Sequence, residues 1–271
     1  MSACLASWVD GQPADRVPLD DRGLQYGDGL FETCVVRDGR VRFIEAHLAR
    51  LANGCARLGI HCDLDVVRGD IELALRAAPA RALLKIIVTR GSARYRGYAP
   101  RDAGWRRIVQ LFGEAPLHDD QRVMLGFARM RLSATPALAG LKHLNRLENV
   151  LAAAEVRPPE FDVLLLDEDG NIAGGSMCNL FLLSRGVLET PRVDRCGIAG
   201  VMRGVVMREA TLLGLRCDER SLRLADLERA DELFVTNARI GVVPVTRVGE
   251  HAFAMHVVTL KLRSHIESLD A

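Results

Sequence analysis

The stretch from Gly29 to Arg37 is rich in β-formers and stops at the turn pair Asp38-Gly39. Just beyond it, Ile44, Leu48, Leu51, Cys55 and Leu58 recur at steps of four, three, four and three residues. That is the period of a helix with one apolar face, and Gly59 closes it. A strand that turns tightly into an amphipathic helix calls for a layered fold in which the helix covers a sheet. Further strands are predicted from Leu5 to Val9, Leu83 to Thr89, Arg107 to Phe112, Arg122 to Met130, Val163 to Leu166, Asn179 to Leu183 and Glu232 to Thr236. Helices are predicted from about Leu64 to Ala77, around Lys142, after Gly200 and from near Met255. Strands and helices mix without strict βαβ alternation, which fits two α+β domains. Periodicity lapses and turn formers gather between Gly113 and Asp120. The expected organisation is a small N-terminal domain over 1–113, a linker over 114–121 and a larger C-terminal domain over 122–271.

At 271 residues, with 49% apolar, the chain is long enough to bury a sizeable core. Its 36 basic and 35 acidic residues leave a formal charge of +1. That balance argues against nucleic acid as a partner, which demands a basic face. No apolar run reaches the length of a membrane span, and the start from Met1 to Trp8 has no basic region before an apolar stretch. A cytoplasmic protein is therefore expected. The seven cysteines are scattered, without a Cys-x-x-Cys pair, and read as free thiols. The seven histidines lack ligand spacing, so no metal site is expected.

Only three of the 36 basic residues are lysines: Lys85, Lys142 and Lys261. Arginine supplies charge but stays protonated, so it cannot serve as an amine nucleophile or a proton shuttle. Lys142, in Leu141-Lys142-His143-Leu144-Asn145-Arg146-Leu147-Glu148, is the candidate for an amine that forms a Schiff base. Gly200-Val201-Met202 opens a helix after a glycine turn, where unbonded main-chain N–H groups make an anion site. Lys85, Arg90 and Arg96 lie on or just beyond one strand, a cluster suited to a substrate with two carboxylates. Lys85 as a structural ion-pair partner is the open alternative, and Tyr26 is a pocket-lining or core residue.

Several separated motifs, in order along nearly the whole chain, resemble the class IV aminotransferase family, the fold-type-IV pyridoxal phosphate enzymes. They are Leu24-Gln25-Tyr26-Gly27-Asp28-Gly29-Leu30-Phe31-Glu32-Thr33, His47-Leu48-Ala49-Arg50-Leu51, the Lys142 segment, Asn179-Leu180-Phe181, Gly197-Ile198-Ala199-Gly200-Val201-Met202-Arg203, Thr236-Asn237-Ala238 and Val243-Pro244-Val245. The resemblance implies a two-domain fold like that of the D-amino-acid and branched-chain aminotransferases, with a small N-terminal α/β domain and a larger barrel-like C-terminal one. It also implies a homodimer acting on a small molecule. Lys142 would hold pyridoxal 5'-phosphate and then act as general acid and base. Arg50, Val201, Met202 and Asn237 would bind the cofactor, and Thr33 and Tyr26 would line the pocket. Thr89-Arg90-Gly91-Ser92, Arg96-Gly97-Tyr98 and Asn237-Ala238 resemble the branch that cleaves 4-amino-4-deoxychorismate to 4-aminobenzoate and pyruvate. Arg90, Arg96 and Lys85 would then hold substrate carboxylates.

One departure stands out. The family places a glutamate five residues before Asn-Leu-Phe, facing the pyridine nitrogen, and here that position is Gly174. An anion there strengthens the cofactor as an electron sink. Its loss weighs more against transamination than against a lyase whose product is aromatic. An aminotransferase for D-amino or branched-chain acids and a catalytically degenerate binding protein are the alternatives.

Overall fold

The computed structural model describes residues 3–100, 104–114 and 121–269. It divides into two compact units, Met1–Pro116 with Leu141–Asn145, and Leu117–Gly140 with Arg146–Ala271. Most of the expected linker, residues 115–120, lies outside the described residues.

The first unit holds strands β1 (Cys4–Val9), β2 (Gln12–Pro13), β3 (Gly29–Arg37), β4 (Arg40–Val41), β5 (Arg81–Thr89) and β6 (Arg106–Gly113), with helices α1 (Arg22–Tyr26), α2 (Ile44–Leu58) and α3 (Leu64–Leu75). The sheet order is β2-β1-β6-β5-β3-β4, and every neighbouring pair is antiparallel. β3 buries Leu30, Glu32, Cys34 and Val36 on the face that α2 covers. Phe31 and Thr33 alternate to the other face, as a period of two requires. α2 turns His47, Leu48, Leu51, Gly54 and Cys55 inward. It lies so close to β3 that a Cβ on Gly54 would sit 2.8 Å from Leu30 Cδ2. Gly59 ends the helix with a left-handed φ of 63°.

The second unit holds β7 (Val123–Leu132), β8 (Asp162–Asp167), β9 (Ile172–Gly175), β10 (Asn179–Ser184), β11 (Val187–Pro191), β12 (Cys217–Arg220), β13 (Glu232–Asn237), β14 (Gly241–Val248) and β15 (His251–Ala252). Its helices are α4 (Leu147–Ala153), α5 (Val201–Leu212), α6 (Leu224–Leu227) and α7 (Val257–Ser268). One mixed sheet runs β12-β11-β10-β13-β14-β7-β8-β9, with β15 beside β14. It curls enough to bring β9 against β10 and β11. Its core is aliphatic, built on Leu125, Leu164, Leu180, Leu182, Leu233, Val235 and Val245. Phe181 and Phe234 stack with centroids 5.0 Å apart. Among the described residues no helix is long and apolar enough to cross a membrane.

The Lys142 segment corrects the sequence-based expectation. Residues 141–146 are not helical, with a β-bridge at His143 and a bend at Leu144, and α4 starts only at Leu147. Phe31 N–H donates to Lys142 O (2.9 Å), and Leu144 N–H donates to Gly29 O (3.0 Å). An isolated antiparallel bridge joins Leu30 to His143. These bonds satisfy the edge of β3 that two-residue β4 leaves open, and they place Leu141–Asn145 in the first unit although residues on both sides belong to the second.

Candidate functional site

In the first unit, Lys142 alternates with buried Leu141 and His143, as a strand residue does. Its Nζ lies 4.3 Å from the centre of the Phe31 ring. Lys85 Nζ lies 5.5 Å from the same ring, and Lys85 is the cross-strand partner of Thr33. Phe31, Thr33, Lys85 and Lys142 thus gather two ammonium groups and a hydroxyl around one aromatic face, a cation–π arrangement. Three of these four were expected at the site. Phe31 was not, although its place two residues before Thr33 on β3 puts it on the same face.

On the opposite face of β3 the buried carboxylate of Glu32 meets α2. His47 Nδ1 donates to Glu32 Oε2 (2.6 Å), while Arg50 donates from Nε to Oε1 (2.8 Å) and from Nη2 to Oε2 (2.5 Å). Burial pushes the Glu32 carboxyl up, but the hydrogen bonds and charges of His47 and Arg50 outweigh it and hold the group below its ordinary value. Burial, aided by the Glu32 charge, pushes the neighbouring Cys34 thiol well up. Glu32, Cys34 and His47 stand close enough to suggest a metal site. The Arg50 fork instead neutralises the carboxylate, and an adjacent guanidinium repels a dication. Arg50, expected on a phosphate, therefore has Nε and Nη2 engaged by Glu32.

Arg90, expected on a substrate carboxylate, has its partners within the first unit. Its Nε donates to Asp28 Oδ2 (2.8 Å), and its Nη1 and Nη2 donate to Gly59 O (2.7 Å) and Leu58 O (2.6 Å). It clamps the last carbonyls of α2. Asp28 also accepts from Arg22 Nε (2.8 Å), whose other nitrogens hold Gly97 O and Tyr98 O at 2.8 Å each. Tyr26 accepts from Gly97 N–H through its hydroxyl (3.3 Å) and meets the Tyr98 ring edge-on. Tyr26 and Arg22 thereby anchor the loop that carries Arg96. Arg96 itself is exposed, and among the described residues it makes no ion pair.

In the second unit, α5 begins at Gly200 with no side-chain cap, so the first turn presents main-chain N–H groups at Val201 and Met202. Asn179 Nδ2 donates to Ile198 O (2.9 Å), and a Cβ on Gly200 would collide with Asn179 Oδ1. The Asn-Leu-Phe element and the glycine at the helix start are thus one packed contact. Asn237, expected to contact the cofactor, closes β13. Its Oδ1 accepts from Arg239 N–H (2.9 Å) and Ile240 N–H (3.0 Å), and its Nδ2 reaches Met177 O (3.3 Å) and Cys178 Sγ (3.4 Å). Its amide caps the turn after β13. Gly174 has a φ of 139°, and a Cβ there would meet Cys178 O at 3.0 Å.

The model of the family described as amino-transferase class IV matches residues 29–248. The chain belongs to that family. It is 33% identical over 246 residues to the aminodeoxychorismate lyase of Vibrio harveyi, covering 89% of this chain and 90% of that one. It is 32% identical over 249 residues to a Methanocaldococcus jannaschii protein that carries the name of a branched-chain-amino-acid aminotransferase, covering 89% and 85%. A crystal structure of 4-amino-4-deoxychorismate lyase from Pseudomonas aeruginosa matches with a TM-score of 0.90 and 43% identity over 97% of this chain and 98% of that one.

Within this class IV chain the buried Glu32 network has a measurable consequence. The folded-state value of Glu32 is depressed, so its stabilisation is fully present above the unfolded carboxyl value of about 4.3 and is lost as pH falls through the folded value. Glu32→Gln removes the buried charge that Arg50 and His47 bond and is expected to cost about 3 kcal/mol. At roughly 2–4 °C per kcal/mol that lowers Tm by on the order of 10 °C at neutral pH. The gap from wild type should narrow below about pH 4. Calorimetry across pH checks this, and a gap that stays constant with pH rules out the ionised carboxylate as the source.

Proposed function

We propose that this chain is a pyridoxal phosphate-dependent lyase that converts 4-amino-4-deoxychorismate into 4-aminobenzoate and pyruvate, a step of folate biosynthesis. The observation that carries the reading is Lys142, held by backbone pairing along β3 with its amine over Phe31. Identity to the Vibrio lyase and to the archaeal aminotransferase-like protein is nearly level. The 43% identity to the Pseudomonas lyase favours the lyase reading over the transaminase one. Gly174, where the family's carboxylate is missing, favours it too.

Each unit offers groups that suit the cofactor. Lys142 supplies the primary amine that a Schiff base needs. The uncapped first turn of α5 offers Val201 and Met202 N–H groups to a phosphate dianion. Arg50 adds positive charge while it holds Glu32. When bound, pyridoxal phosphate supplies an electron-withdrawing ring that acidifies the substrate carbon bearing nitrogen. Lys142 Nζ takes the proton from that carbon. Lys85 and Arg96 hold the two substrate carboxylates, and the Thr33 hydroxyl, across the strand pair from Lys85, orients the ring. The ring C–O bond would break with its electron pair on oxygen, the released enolpyruvate would take up a proton to become pyruvate, and the aromatic ring left behind would drive the elimination.

The working form is proposed to be a cytoplasmic homodimer. All seven cysteines are free, as a reducing compartment favours. α4 exposes Leu147, Val150 and Leu151 at i, i+3 and i+4, with relative exposures of 70%, 60% and 50%. An apolar helix face of this kind marks an association surface.

Borohydride reduction of the pyridoxal phosphate-loaded chain, followed by peptide mapping, should find the adduct on Lys142. The same preparation should release pyruvate from 4-amino-4-deoxychorismate much faster than it transfers an amino group to 2-oxoglutarate. An adduct on Lys85 or Lys261, or transfer as fast as pyruvate release, overturns the reading. Arg96→Ala should retain the cofactor and lose about ten- to a hundredfold in kcat/KM, the equivalent of one charged hydrogen bond of roughly 1.5–3 kcal/mol. Unchanged kinetics would remove Arg96 from the substrate site. Light scattering should give twice the chain mass for wild type and the single-chain mass for Val150→Asp. A monomeric wild type refutes the dimer.

A further inference from the structure

Buried Arg22 holds both ends of the 91–98 loop that carries Arg96, and all of these residues lie in the first unit. Where the loop leaves β5, Arg22 N–H donates to Gly91 O (2.9 Å). Beside it Asp21 bridges Ser92, whose hydroxyl donates to Asp20 Oδ1 (2.8 Å). Where the loop returns, Arg22 Nη1 donates to Gly97 O and Nη2 to Tyr98 O, each at 2.8 Å. Tyr26 Oη accepts from Gly97 N–H (3.3 Å), so Gly97 is held through both of its peptide groups. Between these ties Arg94, Tyr95 and Arg96 are exposed.

Asp28 orients Arg22. One oxygen of its carboxylate, Oδ2, accepts from Arg22 Nε and from Arg90 Nε at 2.8 Å each. Arg90 is itself fixed by Leu58 O and Gly59 O at the end of α2. Burial pushes the Asp28 carboxyl up, but the hydrogen bonds and charges of Arg90 and Arg22 outweigh it and hold the group below its ordinary value. The Tyr26 ring lies 4.9 Å from the Arg22 guanidinium carbon and packs against it. The guanidinium plane is thus set by a carboxylate on one edge and two carbonyls on the others. A planar fork can serve three such acceptors, whereas an ammonium is a point charge on a flexible stem and cannot.

We propose that Arg22 is a positioning residue for substrate recognition, which ties the 91–98 loop at its base so that Arg96 meets one substrate carboxylate from a loop already in place. The proposal rests on the lyase reading above, which gives Arg96 that carboxylate. A guanidinium on an untied loop has to be ordered as the substrate binds, and that ordering subtracts from affinity. With the loop tied by Arg22, the backbone next to Arg96 is ordered when the chain folds. Buried Arg22 acts through Arg96, on substrate affinity rather than on the bond-breaking step.

The test is a double-mutant cycle on the full-length, cofactor-loaded chain, read as pyruvate release from 4-amino-4-deoxychorismate. Arg22→Lys should raise KM about tenfold, change kcat less than about twofold and leave the borohydride adduct on Lys142. In an Arg96→Ala background the same change should add less than about twofold, because the residue it acts through is gone. Hydrogen exchange at the Gly97 amide should quicken in Arg22→Lys. An unchanged KM or unchanged exchange overturns the proposal. So does an equal loss with and without Arg96, which makes Arg22 a support of the fold alone. Where Arg22→Lys does not fold, Tyr26→Phe removes only the hydroxyl that accepts from Gly97 N–H. It should raise KM about threefold with Arg96 present and leave it unchanged with Arg96→Ala, and equal effects in both backgrounds again refute the role. Wild type that releases no pyruvate overturns the lyase reading and this role with it. Wild type that turns over, with Arg22→Lys at the same KM, overturns this role alone.

Discussion

Glu32 is a carboxylate buried in a strand face that is otherwise Leu30, Cys34 and Val36. An unpaired charge there would cost several kcal/mol, so the fold has to bring it a hydrogen-bond donor and a positive charge. Both come from one helix, at positions 47 and 50, one turn apart on the inward face of α2. The pairing sets where α2 sits along β3, and the close pass of Gly54 over Leu30 fits that same register. Because side chains alternate along a strand, fixing Glu32 inward also fixes Phe31 and Thr33 outward. The face that gathers Lys85 and Lys142 is therefore a consequence of a charge buried on its other side.

The second constraint is an unsatisfied edge. β4 pairs only with Val36 and Arg37, so the start of β3 would show bare N–H and C=O groups. The segment around Lys142 takes that place, trading local helical preference for sheet hydrogen bonds. A bridged segment also suits an amine that must be held in one direction. On a strand the neighbours Leu141 and His143 bury to one side and leave Lys142 on the other. A helix would have surrounded the same lysine with residues three and four apart, without the anchoring bonds to Phe31 and Gly29.

Much of this was legible in the chain. The bounds of β3 and α2, and the helix after Gly200, follow from periodicity and glycine placement, which are local signals. Glu32, His47 and Arg50 were readable as well. A single acid within an apolar alternation facing a helix with His and Arg one turn apart is a pairing pattern, though Arg50 was instead assigned to phosphate. What the sequence hid shares one physical origin, long-range partners that no local period records. Lys142 leaves the helical pattern because β3 has a free edge more than a hundred residues earlier. Arg90 pairs with Asp28 and with the end of α2, and Asn237 reaches Met177 O and Cys178 Sγ. The short strands β9, β11 and β12 and the strand β14 were not expected at all; β9 and β12 are too brief to show alternation.

Gly174 shows why a departure from a family pattern cannot be treated as a simple vacancy. With φ at 139° and Cys178 O in the way, a side chain there costs backbone strain on the order of 1–3 kcal/mol. Restoring the family's glutamate by a single substitution therefore opposes the local backbone. The adjoining residue is constrained too, since a Cβ on Gly175 would collide with Asp162 Oδ2. Asp162 is fully buried and accepts from Val163 N–H (2.8 Å), Ser176 N–H (3.0 Å), Ser176 Oγ (2.5 Å) and Met177 N–H (3.2 Å). The Ser176 hydroxyl, one candidate for holding a water in place of the missing carboxylate, is thereby already engaged. In this stretch of the second unit a buried carboxylate serves the backbone from below, while the position that would have faced a ring nitrogen is bare. A reaction whose product gains aromaticity leans less on such an anion than transamination does.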